Sequence, residues 1–315
     1  MTEFSPKARV QLAQLSERAH SDKAAYIAAC EAHYEGRVAA AAKQIAQSGC
    51  PIVMLTGPSA SSKTTTSKKL VAELRRLGRK SDIISLDDFF RDISDYPLLP
   101  DGSPDLENLW ALDVELVNNC LSALVNKGCT MLPRFDFISQ TRQLNVKQCL
   151  CDDETTLVVE GIHALNPALT EKVAGDKIFK VYAGLRTEYY EGNRRVIATR
   201  DVRIVRRMIR DVRERGHEAQ FTLAQWGELQ RGEELWIKPF KKDARMLIDT
   251  SFEYEPCLLG ALLRDIAADE TAGGNMRETL LALCERFSGL PDILPADIPQ
   301  SSTVREFIGG LQLQG

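Results

Sequence analysis

Nowhere in the chain is there an apolar run near the ~18 residues that a membrane span needs, and MTEFSPKARVQLAQ carries no secretory core. A cytosolic protein with no membrane partner is therefore expected. The eight cysteines include no C-x-x-C pair. Cys149 and Cys151 would share one face of an extended segment, but no His or Cys cluster accompanies them. Structural zinc is not expected, and reduced, mostly buried thiols are. Histidine is scarce too, at four residues. His20 and His33 fall on helical stretches and read as surface or packing residues. A net charge of −4 gives no general pull toward nucleic acid, so a small-molecule partner fits better. Internal repeats and low-complexity segments are absent.

What is present suits a soluble α/β protein: 315 residues, 44% hydrophobic and 27% charged. The first fifty residues are alanine-rich, with apolar positions at helical spacing, and predict two helices ended by Ser48-Gly49. From residue 51 short apolar strands alternate with helices. Strands are expected at Ile52–Thr56, Asp82–Leu86, Thr130–Phe135, Thr156–Glu160, Ile178–Tyr182 and Arg245–Ile248. Helices are expected near 63–77, 112–126, 186–198, 200–215 and 221–231. That alternation predicts a parallel sheet flanked by helices. The Pro/Gly/Asp-rich loop 91–109 is long enough to be functional. After Pro256 come an amphipathic helix, a break at 273–274, a second helix to about Phe287 and a proline-rich tail. The expected division is a helical extension over 1–49, a main domain over 50–255 with a lid at about 186–240, and a C-terminal extension over 256–315.

The strongest chemical signal is GPSASSKT at 57–64, between an apolar strand and a helix. Such a turn is a nest of backbone N–H groups at a helix N-terminus, suited to phosphates, with a lysine for the β- and γ-phosphates and a hydroxyl for Mg²⁺. Lys63 and Thr64 fill those places. Gly57, Ser59, Ala60, Ser61, Ser62 and Thr65 are expected to line the cradle. Ser62 stands where glycine is usual. Two acids lie at carboxyl ends of strands, where ligands of such sheets bind. Asp87 is the candidate to orient or deprotonate an acceptor hydroxyl, and Glu160 and Asp87 are candidates beside the metal. Asp88 reads as a turn cap. The stretch 200–215 holds seven arginines against three acids. Arg203, Arg206 or Arg207, and Arg210 share one helical face. Beside a phosphate loop this reads as a mobile lid stabilising transition-state charge; a solvated face and a nucleic-acid helix are the alternatives.

These stretches together resemble the uridine kinase/phosphoribulokinase family of P-loop kinases, nearest to bacterial uridine kinase-like nucleoside kinases. The motifs are GPSASSKTT, SLDDFFRD (85–92), LPDGSPDLENLWALD (99–113), LPRFDFISQTR (132–142), LVVEGIHALNP (157–167), RRMIRDVRERG (206–216) and the tail VREFIGG (304–310). The resemblance implies a P-loop kinase fold, ATP and Mg²⁺ as cofactors, and Asp87 as base. It implies Thr64 and Glu160 around the metal, and Glu107 with Arg203 on the acceptor's ribose hydroxyls. Arg206 and Arg210 would contact phosphates. In the base pocket it expects a tyrosine and a histidine, where this chain has Phe135 and Gln140. His163 either lines the site or is structural.

An ATP-dependent kinase of a nucleoside hydroxyl is thus expected. A phosphoribulose-like or pantothenate-like acceptor, and a weakly catalytic NTP-binding regulatory module, remain open. A homo-oligomer is also left open.

Overall fold

The computed structural model describes residues 6–269 and 274–313. Its centre is a five-stranded, all-parallel sheet of β2 (Ile52–Thr56), β3 (Lys80–Ser85), β6 (Thr155–Glu160), β7 (Ile178–Gly184) and β10 (Met246–Asp249). The strand order is β10-β7-β2-β6-β3, so the strand feeding the glycine loop is central. Alternate residues of β2 supply two cores: Val53 and Leu55 one, Ile52 and Met54 the other. A strand covered on both sides has to be apolar throughout, which is why it stands out as an unbroken run.

The first core packs α1 (Leu12–Ser21), α2 (Lys23–Ser48), α3 (Lys63–Arg76), α5 (Thr199–Arg215), α6 (Ala219–Trp236), α7 (Glu255–Asp269) and α8 (Gly274–Arg286) on one face of the sheet. The second, on the other face, includes α4 (Val114–Lys127). Both expected N-terminal helices are present. Asp22 caps α2 by accepting the Ala25 N–H at 2.9 Å, and Gly49 ends it with φ of 68°. The short α9 (Arg305–Ile308) closes the C-terminal segment against α5. Of the expected break at 273–274, Gly273 lies outside the described residues; α8 begins at Gly274. Among the described residues no helix is long and apolar enough to cross a membrane.

Two expectations are corrected. Thr130–Phe135 is a strand, but it lies outside the parallel sheet. It forms β4 (Cys129–Asp136) of an antiparallel hairpin with β5 (Thr141–Leu150). Residues 186–198 are not helical. They form β8 (Thr187–Glu191) and β9 (Arg194–Ile197), joined by a turn in which Gly192 has φ of 57°. The Thr-Glu-Tyr-Tyr run, rich in residues that favour strands, buries Tyr189 fully in a sheet. That sheet is completed by β1 (Ala8–Gln11), which pairs with β8 in parallel.

Candidate active site

Strand β2 delivers the chain to Gly57. A Cβ there would lie 2.2 Å from the Ala183 carbonyl oxygen and 2.4 Å from Ser61 Oγ, so only glycine lets the turn cross β7. The turn then carries two non-glycine residues in the left-handed region, Ala60 at φ 57° and Ser62 at φ 63°. Each such residue costs about 1 kcal/mol or more. Arg206 holds both. Its NH1 donates to Ala60 O and Ser62 Oγ, each at 3.2 Å. Its Nε and NH2 donate to the Glu255 carboxylate, and NH2 also reaches Thr250 O at 2.9 Å. Every guanidinium N–H is used and the side chain is fully buried. The expected phosphate contact through Arg206 is therefore corrected: it braces the turn from behind.

Helix α3 opens at Lys63, its N-terminal N–H groups facing the turn. Burial raises the carboxyl pKa of Asp87, Glu160 and Glu107, and the Lys63 charge lowers all three. Glu160 accepts from both Thr64 Oγ1 and Ser85 Oγ, so the start of α3, the end of β6 and the turn carrying Asp87 meet at one place. Glu107 packs on Gly232, next to the Glu233 that holds the Ser59 N–H. Glu160 is 5% exposed and accepts from Thr64 Oγ1 at 3.4 and 3.5 Å. Glu107 is pushed up to about 7, burial being the largest cause and the Glu233 carboxylate adding to it. Asp88 is no cap: it accepts the Phe135 N–H at 3.4 Å and ties β4 to the 86–89 turn.

The arginines of α5 divide the work. Arg203, expected with Glu107 on the acceptor's ribose hydroxyls, gives Nε to Ser59 O at 2.8 Å and both NH groups to Glu233. Arg207 donates to Ser59 Oγ at 2.9 Å. Arg210 has a buried Nε with no partner, and burial lowers its pKa. Ser61 Oγ is likewise buried without a partner. A donor left unsatisfied next to a nest of N–H groups suits an incoming anion.

On the acceptor side, Phe135 is buried edge-on to Phe90 and Phe137, at 5.7 and 5.1 Å between ring centroids. Gln140 does not join it. Its side chain is exposed at the hairpin turn, with φ of 56°. His163 is buried with both ring nitrogens unpartnered, and burial pushes its pKa down to about 4, so it is a neutral imidazole. Asp113 caps α4 through the Leu116 N–H and pairs with Arg142 at 2.8 Å, pinning the hairpin to the loop before α4.

The profile of the Phosphoribulokinase / Uridine kinase family matches residues 52–253, more than half of the chain. The chain belongs to this family. The uridine kinase of Deinococcus deserti is 27% identical over 208 residues, 66% of this chain and 91% of the relative. The uridine kinase of Ligilactobacillus salivarius is 27% identical over 218 residues, 68% and 93%. A solved structure of a possible uridine kinase from Bacillus stearothermophilus is 21% identical and covers 47% of this chain and 79% of its own, with a TM-score of 0.39.

As a member of the phosphoribulokinase/uridine kinase family, this chain is similar to kinases. Three acids of its site escaped the sequence reading: Glu233, Glu255 and Glu306, the last accepting from Thr65 Oγ1. Glu233 had a signal, since Trp226, Leu229 and Glu233 share the buried stripe of α6. An acid on an apolar stripe must be paired. Glu255 and Glu306 had none, their partners lying far off in sequence.

Proposed function

We propose that the chain is an ATP-dependent kinase that transfers a γ-phosphoryl group to a hydroxyl of a nucleoside or similar small alcohol. The observation that carries this is Glu160 accepting from both Thr64 and Ser85, which brings the carboxyl end of β6 and the turn carrying Asp87 to the mouth of the glycine turn. Residues 50–255 would form the kinase unit, with α5 and α6 as its lid. The loop N–H groups from Ser59 to Thr65 cradle the phosphates. Lys63 and Arg210 face the charge that develops on transfer.

The residues suit Mg²⁺. Thr64 and Glu160 would hold it, with Asp87 close by, and a buried carboxylate pair fits a divalent cation better than Lys63 alone. Among the described residues no group of three or more His, Cys, Asp or Glu forms a metal cage. Mg²⁺ in such kinases needs few, taking the rest of its shell from phosphate and water. When bound, it supplies charge neutralisation on the phosphates. Asp87 orients the acceptor hydroxyl and takes its proton. Glu107 fits a vicinal diol, and the Phe90–Phe135 edge contact offers a ring surface to a planar base. Nucleoside acceptors are favoured on those two grounds, with the similarity to uridine kinases in support.

The test is ATP·Mg²⁺ turnover against a panel of nucleosides, ribulose 5-phosphate and pantothenate. Turnover should rise with one acceptor. It should fall about 10³-fold or more in Asp87→Asn with nucleotide binding intact. ATP hydrolysis indifferent to every acceptor would instead make this a nucleotide-binding module.

A further inference from the structure

Ser59 sits at the outer bend of the glycine turn, and three side chains from α5 and α6 hold it. Its N–H donates to Glu233 Oε1 at 3.3 Å, its carbonyl accepts from Arg203 Nε at 2.8 Å, and its hydroxyl accepts from Arg207. Glu233 is 2% exposed and takes both NH groups of Arg203. A carboxylate thus occupies a backbone N–H of the cradle and pairs with the arginine beside it. Both are groups that an anionic phosphate would use.

The residue before Glu233 ties this contact to the acceptor side. A Cβ on Gly232 would lie 2.4 Å from Glu107 Cβ, so glycine lets α6 sit directly on the 91–110 loop. A movement of α6 that carries Glu233 away from Ser59 would also shift Gly232 against Glu107.

We propose that Glu233 is an internal competitor for the donor's phosphates, holding the Ser59 N–H and Arg203 until a nucleoside triphosphate displaces it. The proposal rests on the nucleotide-binding reading above. Displacement frees Arg203 for the polyphosphate and removes a like charge from beside Glu107, so donor binding prepares the acceptor side. A ligand that takes over a contact made within the protein loses affinity by the strength of that contact.

Glu233→Gln keeps the shape and one acceptor oxygen for the Ser59 N–H, but removes the charge and one of the two acceptors that Arg203 uses. Isothermal titration of ATP·Mg²⁺ and of inorganic tripolyphosphate should show both binding Glu233→Gln about ten-fold more tightly than the unaltered chain. Equal or weaker binding by a variant with unchanged melting would overturn the proposal while leaving the nucleotide-binding reading intact. If the unaltered chain binds neither ligand, both fall. The unaltered chain gives a check that does not depend on the variant folding. Tripolyphosphate should speed amide hydrogen exchange over 229–236 while slowing it over 59–65. Slower exchange in both segments would overturn the displacement.

Discussion

At the residue scale the site is a small set of charges whose values are set by burial. Glu107 is pushed up to about 7, above its ordinary 4.5, by burial and by the Glu233 carboxylate nearby. An acid with a raised folded pKa stays protonated in the native state while the unfolded chain has already released its proton. Its ionisation therefore subtracts stability as pH rises from about 4.5 to about 7, by up to about 3 kcal/mol. Glu107→Gln should remove that slope. Melting temperatures of the two chains should converge at pH 4.5, and the variant should be the more stable at pH 8. Lys63, Thr64, Asp87 and Glu160 were legible as residues because each closes or follows an apolar run that ends at one edge of the sheet. Gln140 was misplaced because a motif fixes sequence position and not side-chain direction, and here the hairpin turn points it to water.

At the scale of elements, strands buried on both faces announced themselves, and β2 matched its expected bounds, Ile52–Thr56. The pair β8 and β9 did not, because charged side chains at a sheet edge mimic a solvated helix. The arginines of α5 were legible as a basic face, but their duties were not. Arg206 finds its carboxylate on α7, 49 positions away, and no local pattern reports such a pairing. Removing one partner leaves a buried charge, so Arg206→Met should cost about 3–5 kcal/mol in denaturant unfolding. Arg206→Met combined with Glu255→Leu should recover much of that stability, since an apolar pair of similar volume replaces the ions. Nucleotide affinity should stay reduced in the double variant, because Ala60 and Ser62 would still lack their brace. A double variant that binds ATP as well as the unaltered chain would remove Arg206 from the loop's support.

At the scale of the whole molecule, segments remote in sequence meet at the phosphate cradle. Tyr34 of α2 bonds Thr66 at 2.8 Å, and Glu306 of α9 bonds Thr65. Phe307 is fully buried, with the Arg206 guanidinium 4.9 Å from its ring centroid. Phe307→Ala should therefore destabilise the fold by about 3–5 kcal/mol, read by thermal melting, and weaken nucleotide binding beyond what the lost stability accounts for. Unchanged affinity at a temperature where the variant is folded would separate the tail from the site. The sequence hinted at this segment only through the VREFIGG likeness, which says nothing of where it docks.

The parallel pairing of Ala8–Gln11 with Thr187–Tyr190 joins strands about 180 positions apart. A ribosome making this chain must therefore hold β1 unpaired until most of the protein has emerged, and the arginine-rich helices wait longer still for residues 304–308. Such late closure predicts slow maturation and a nascent chain that depends on chaperones to shield its unmatched β1 edge.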